Sequence, residues 1–281
     1  MTTPGMNSVW AQSPWAARMS TPSGPARRIG SPRRRVVTVL SAKGGCGKTT
    51  VAINLAAAGH DLGMTTCLVD LDPNLGDVES SLAIPEPRHT GRIGQFELVQ
   101  FLPDFDIVST SSDSEAGYSR PAVESLLNTL ALSYDLVVID TPGRFSDQLR
   151  SALECAHEHV LVATPERPAL RNLRRTLDAL DLLGHEAEAR SVVFNRSDST
   201  VGINAQDVED AVGVPIAAHI PSSRDVPLSV NLGRPLVLHQ PGHPVSVAIT
   251  RFADHLLLPP RPVRSGSGRP VSVTSYRALA P

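Results

Sequence analysis

The 281-residue chain predicts a doubly wound α/β fold, a mostly parallel seven-stranded sheet with helices on both faces. Three observations carry that expectation. Seven near-continuous apolar runs recur along the chain, as in strands buried on both faces. Helical patterns separate most of them, two ending at Gly and one at a Pro pair. A glycine-rich loop follows the first run directly and opens the first helix.

Taken in order, the strand runs are 36–40, 66–70, 105–110, 136–140, 159–164, 191–195 and 215–220. The helical stretches are 49–62, ending at Gly63, then 121–132, 147–156, 169–183, ending at Gly184, 205–212 and 244–258, which stops at Pro259-Pro260. The last has Val247, Phe252, Leu256 and Leu257 on one side and is expected to pack on the sheet rather than bind a membrane. There is no internal repeat.

Composition excludes several classes. No run approaches the roughly 18 apolar residues of a membrane-spanning helix. Three scattered cysteines, Cys46, Cys67 and Cys155, exclude a disulfide framework and a zinc ribbon and fit a reducing cytosol. The net charge of -2 hides an asymmetry. Residues 1–35 hold six arginines and no acid, residues 259–281 hold four and no acid, and 36–258 carry 16 basic residues against 28 acidic ones. An acidic body thus bears two basic tails, 1–34 and 259–281, both read as disordered from their Pro, Ser, Gly and Arg content. The tails are either merely solvated or contact an anionic partner such as nonspecific DNA or an anionic membrane. Both tryptophans, Trp10 and Trp15, sit in the arm, as a docking motif, a membrane-interface anchor or a segment that packs on the body.

The chain has only two lysines, Lys43 and Lys48, and both fall inside one loop. That loop reads Ser41-Ala42-Lys43-Gly44-Gly45-Cys46-Gly47-Lys48-Thr49-Thr50. Its glycines let backbone N–H groups wrap a phosphate, and the helix N-terminus adds its positive dipole end. A slim lysine fits such a cradle where the wide arginine fork does not. Lys48 is expected to reach the β- and γ-phosphates of a nucleotide, and the Thr49 hydroxyl to bind Mg²⁺. A strict Walker A loop has Gly where this chain has Ala42, so the loop is a deviant P-loop defined by the extra Lys43. Cys46 occupies its variable position, as a small tolerated residue or a redox-sensing thiol.

Two acidic strand ends belong with that loop. The second run ends in Asp70-Leu71-Asp72-Pro73, and 136–140 ends in Asp140-Thr141-Pro142-Gly143, a Walker B pattern. At the C-terminal ends of neighbouring parallel strands these carboxylates converge on the ligand crevice. Asp140 is expected to hold the metal through water and Asp72 to orient an attacking water, so the candidate metal set is Thr49, Asp72 and Asp140. A single strand-end Asp would be read as a helix cap; three beside a phosphate loop are not.

These residues resemble the deviant Walker ATPases of the ParA/MinD superfamily over about 35–258. The resemblance implies a P-loop NTPase domain using ATP and Mg²⁺, and a homodimer with ATP at its interface. It makes Lys43 the signature lysine that reaches the partner's phosphates, beside catalytic Lys48 and Asp72. Gly44, Gly45, Cys46, Gly47 and Thr50 complete the cradle. Val193-Phe194-Asn195-Arg196 looks like the adenine-contacting segment, and Ile220-Pro221-Ser222-Ser223-Arg224-Asp225 like the loop over the base. Within the superfamily, Asp72-Pro73-Asn74-Leu75-Gly76-Asp77-Val78, Glu86-Pro87-Arg88-His89-Thr90, Leu170-Arg171-Asn172-Leu173-Arg174-Arg175 and Asn231-Leu232-Gly233-Arg234-Pro235-Leu236 look nearest to the CpaE/TadZ branch, which positions pilus-assembly machinery.

The resulting expectation is a cytosolic, slowly hydrolysing, partner-stimulated ATPase that dimerises on ATP and recruits a protein partner in a polar or membrane-associated machine of secretion or pilus type. The rivals are a partition ATPase coating nonspecific DNA, which predicts steep salt dependence, and a nucleotide-bound scaffold with negligible turnover. A tyrosine kinase of related fold is disfavoured because the tail holds only Tyr276, and an iron–sulfur protein for want of a cysteine pair. His157 and His159 lack partners at metal-ligand spacing, and Arg171, Arg174 and Arg175 read as solvated surface.

Overall fold

β1 (Arg35–Leu40) is buried at five of its six positions, because a strand in the middle of a parallel sheet has helices over both faces. The computed structural model describes residues 34–41, 43–72, 77–84, 89–109, 118–143, 145–198 and 205–258. The tail, nearly all of the basic arm, and parts of two of the branch-like stretches, 73–76 and 86–88, lie outside the described residues.

The chain continues through α1 (Lys48–Asp61), β2 (Thr66–Asp70), α2 (Asp77–Ser81), β3 (His89–Ile93), β4 (Phe96–Leu102) and β5 (Phe105–Ser109). Then come α3 (Arg120–Ser133), β6 (Leu136–Asp140), α4 (Asp147–Cys155), β7 (Glu158–Ala163), α5 (Arg167–Leu182) and β8 (Arg190–Asn195). It closes with α6 (Ala205–Val212), β9 (Ile216–Ile220), α7 (Asp225–Asn231), α8 (Leu236–His239) and α9 (Pro244–Leu257). The sheet order is β3-β4-β5-β2-β6-β1-β7-β8-β9.

All seven predicted runs are strands, but the sheet described here has nine, which corrects the expected count. The two additions, β3 and β4, pair antiparallel with each other and with β5. They escaped a search for continuous apolar runs because outer antiparallel strands need one apolar face only. β4 buries Phe96, Val99 and Leu102 and leaves Gln100 in solvent. β3, read from the sequence as part of the branch-like stretch, is polar enough to pass for a loop.

One face of the sheet is covered by α1, α8 and α9, whose Val51, Leu55, Val237, Ile249 and Phe252 join Val37, Val39 and Val138 in one core cluster. Residues Val51 to Gly59 of α1 are all buried. A Cβ on Gly59 would lie 2.2 Å from Leu136 Cδ2, so the helix approaches β6 where no larger residue fits. Buried Asn54 accepts from Val237 N–H at 3.0 Å and donates to the Thr50 carbonyl at 2.9 Å, tying α1 to α8. The expected packing of α9 on the sheet is what the structure shows.

The other face carries α3 over Val36, Cys67, Val69 and Ile139, and α4, α5 and α6 over Leu40, Leu161, Val192 and Phe194. Both Cys67 and Cys155 read as core residues in the sequence; Cys67 is core, and Cys155 is only partly buried against the same cluster. His157 and His159 serve the sheet. The first accepts the Val36 N–H through Nδ1 at 3.0 Å, and the second is buried edge-on to the ring of His185, centroids 4.8 Å apart.

Candidate functional site

Parallel pairing brings the C-terminal ends of β2, β6, β1 and β7 to one edge, where the connections from β1 turn toward β2 and those from β6 turn toward β7. In register, Val39 lies beside Asp140 and Asp140 beside Asp70. A ligand crevice belongs at such a reversal of strand order.

The glycine-rich loop leaves β1 there and opens α1. Gly47 caps the helix with φ +87°, a left-handed conformation that costs an ordinary residue about 1–2 kcal/mol. It offers no side-chain cap, and the first turn has no acid, so the leading N–H groups of α1 face the crevice without an internal acceptor. Space above Gly44 and Gly45 is open to 4 Å. At Gly47 a Cβ would meet Asn195 Nδ2 at 2.4 Å.

Three of the expected side chains meet. Lys48 Nζ donates to Asp140 Oδ1 at 2.7 Å, and the Thr49 hydroxyl donates to Asp140 Oδ2 at 2.7 Å. Asp140 is almost wholly buried, and burial pushes its carboxyl up against the opposing pull of Lys48 and the Thr49 hydrogen bond. Asp72 is close enough to Asp140 to add to that rise.

Asp70 has a role the sequence did not assign. Its Oδ1 accepts the Asp72 N–H at 2.9 Å and its Oδ2 the Val78 N–H at 3.2 Å, so it clamps both ends of the segment that carries Asp72. Burial, then the neighbouring Asp140 charge, raise its pKa to about 7.

Lys43 lies away from this cluster, on the carboxylate of Glu166, the residue just before α5. The Glu166 hydrogen bond raises the lysine pKa. Glu166 went unnoticed in the sequence because it lies three residues past the end of β7, in the connection to α5 at the same sheet edge. Cys46 is buried, its Sγ 3.8 Å from the Thr164 hydroxyl, and burial holds its thiol above the ordinary value. That environment suits a packed side chain more than a reactive thiolate.

Asn195 stands against the loop itself, Nδ2 donating to the Cys46 carbonyl at 2.8 Å. Arg196 follows at φ +55°, exposed, and the turn is fastened to the segment after β9. Asp198 accepts the Ser222 N–H at 2.6 Å, and Ser197 N–H donates to the Ile220 carbonyl at 3.0 Å. The Asn195-Arg196 and Pro221 segments, far apart in sequence, therefore form adjoining walls beside the loop.

The residues fit a phosphate with a divalent cation. A backbone cradle, a lysine, a hydroxyl and a carboxylate supply donors and hard oxygen ligands at one point. Among the described residues no three His, Cys, Asp or Glu side chains group as a metal cage.

The model of the CobQ/CobB/MinD/ParA nucleotide-binding domain matches residues 37–236. The chain belongs to that family. Among its relatives, a septum site-determining protein MinD from Synechocystis is 28% identical over 222 residues, covering 73% of this chain and 83% of the relative. One from Thermotoga maritima is 27% identical over 221 residues, covering 73% and 81%. Solved structures share the fold. MinD from Pyrococcus horikoshii, complexed with Mg-ADP, aligns with a TM-score of 0.70 at 23% identity, over 79% of this chain and 96% of that one. A ParA family ATPase from Chlorobium tepidum aligns with a TM-score of 0.70 at 22% identity, over 80% and 100%. The matched region contains the loop, Asp72, Asp140, Glu166, Asn195 and Pro221, so every element of the site lies within the family's nucleotide-binding domain.

Proposed function

We propose that the chain is a Mg²⁺-dependent ATPase whose ATP-bound form is a homodimer that recruits a protein partner. The observation that carries this reading is the meeting of Lys48, Thr49 and Asp140 at 2.7 Å beneath an uncapped glycine cradle, with a second lysine in the same loop. Family membership and the Mg-ADP complex of the Pyrococcus horikoshii relative support it.

In this reading Lys48 moves from Asp140 to the phosphates, and the loop N–H groups hold the phosphate oxygens. Mg²⁺, bound through Thr49 and Asp140 with Asp72 nearby, would supply charge neutralisation on those oxygens. Asp72, fixed by the Asp70 clamp, orients the water that attacks the terminal phosphorus. Lys43 leaves Glu166 and adds its charge to the phosphates of a second subunit, so that ATP bridges two chains and hydrolysis releases them. Turnover is slow because no side chain here is poised as a strong general base, and a partner speeds it by fixing Asp72 and Lys43. The Asn195-Arg196 and Pro221 walls lie where the base would rest.

The partner proposed is a polar or membrane-associated complex of pilus or secretion type, on the strength of the branch-like stretches, with the chain itself cytoplasmic. The relatives above carry septum-site names, and an Aquifex aeolicus neighbour is a MinC:MinD complex; these support spatial positioning more broadly. No helix among the described residues is long and apolar enough to cross a membrane. The test is deletion of the gene followed by complementation with wild type or Lys48→Ala. Loss of surface pili with normal septa supports the pilus role, misplaced septa support a division role, and neither defect, with DNA binding by the ATP form, supports partition.

A further inference from the structure

A groove of about 340 Å³ runs between α4 and α5 and reaches Ser41 at the foot of the glycine-rich loop and Pro142-Gly143 after β6. Leu149, Leu153 and Leu180 form its apolar floor, and Arg175, Thr176 and Ser41 edge it. Phe145 and Leu183 stand at its lip, 67% and 43% exposed. A large aromatic ring left in water beside an open apolar floor is a docking feature, since isolated surface hydrophobes are ordinary but a rimmed apolar groove is not.

We propose that this groove docks the chain's own N-terminal arm, with Trp15 as the anchor. Residues 10–17, Trp-Ala-Gln-Ser-Pro-Trp-Ala-Ala, carry no charge, so seating them buries none, and the arm's arginines begin only at Arg18. The two tryptophans are the only ones in the protein, and an indole is the side chain that gains most from such a slot. The Arg175 guanidinium at the rim suits an aromatic face. The Ser41 hydroxyl donates to the Lys43 carbonyl and keeps lone pairs for the indole N–H.

Reach favours the arm over an outside partner. The arm joins the body at the start of β1, and the groove meets the other end of that strand at Leu40 and Ser41, about 20 Å away at strand rise. The sequence separation of Trp15 and Arg34 corresponds, for an ideal coil of that length, to a root-mean-square span of roughly 25 Å. Span and tether match, which puts the local concentration of Trp15 in the millimolar range and lets even a weak contact be occupied.

Because the described body holds no tryptophan, indole emission reads the arm alone. The test uses full-length Trp10→Phe, which keeps Trp15, and full-length Trp15→Phe, which keeps Trp10. Docking predicts blue-shifted emission and several-fold lower acrylamide quenching in Trp10→Phe, unchanged on dilution, and a hydrated spectrum in Trp15→Phe. Adding Phe145→Ser, at the exposed lip, or Ala179→Arg, at a half-buried position that also lines the groove, to Trp10→Phe must return its emission to the hydrated spectrum, and circular dichroism checks the fold. Emission of Trp15 that is hydrated from the start, or indifferent to both groove changes, overturns the proposal. A blue shift that vanishes on dilution also overturns it and assigns the groove to a second copy of the chain.

Discussion

The Lys43 ammonium rests on the Glu166 carboxylate within one chain, pairing the loop after β1 with the residue that precedes α5. A lysine engaged at home is not extended toward a neighbour. The contact is partly exposed, so it is a restraint that a stronger anion displaces rather than a lock.

Replacing Glu166 by Gln removes the anion and keeps the shape. Glu166→Gln is expected to form the ATP dimer at several-fold lower protein concentration, measured by light scattering, while Lys43→Ala keeps nucleotide affinity and loses turnover.

Lys48→Ala removes the charge that Asp140 now holds. Nucleotide affinity should fall about 10- to 100-fold, on a loss of about 1.5–3 kcal/mol for a charge-assisted hydrogen bond. Titration calorimetry checks this, with unfolding by denaturant as the control for the Asp140 carboxylate left buried.

Gly47→Ala strains the loop twice, by its φ of +87° and by the 2.4 Å approach to Asn195 Nδ2. Nucleotide binding should weaken strongly. The double variant Gly47→Ala with Asn195→Ala should recover part of the loss, since it removes the collision and leaves the backbone strain, and calorimetry on Gly47→Ala, Asn195→Ala and the double variant separates the two.

His159 sets a pH dependence of stability. Burial, then the charges of His185 and Arg190, lower its pKa from 6.5 to about 4. The unfolded chain therefore takes up a proton at higher pH than the folded one. The stability this neutral histidine allows is complete above pH 6.5 and is lost as pH falls from there toward 4, by up to about 3 kcal/mol. Urea unfolding between pH 7.5 and 4.5 should show a slope that His159→Leu reduces.

The sequence was most legible where one physical demand acts alone. Strands inside the sheet must be apolar throughout, so β1, β2, β5, β6, β7 and β8 stand out in the sequence, and the half-exposed edge strand β9 kept enough of an apolar run to be found with them, all seven to within a residue at each described end. β3 and β4 answer to a half-solvated edge, and their alternation hid among polar residues. Lys48, Thr49 and Asp140, grouped in the sequence by their places at strand and loop ends, do meet in the structure. The Asp70 clamp and the Lys43–Glu166 pair were not read, because each depends on where a side chain turns after its strand ends, and spacing does not encode that. The resemblance assigned Asn195 to an adenine contact, and in the structure its side chain donates to the Cys46 carbonyl of the loop.

In the proposed cycle ATP joins two chains and hydrolysis parts them. Light scattering of the full-length protein with Mg-ATP and with Mg-ADP tests it most directly, for wild type, Asp72→Ala and Lys48→Ala. A dimer is expected with ATP alone, longer-lived in Asp72→Ala, whose turnover should fall about 100-fold or more, and absent in Lys48→Ala. A mass that ignores the nucleotide in all three proteins would contradict it.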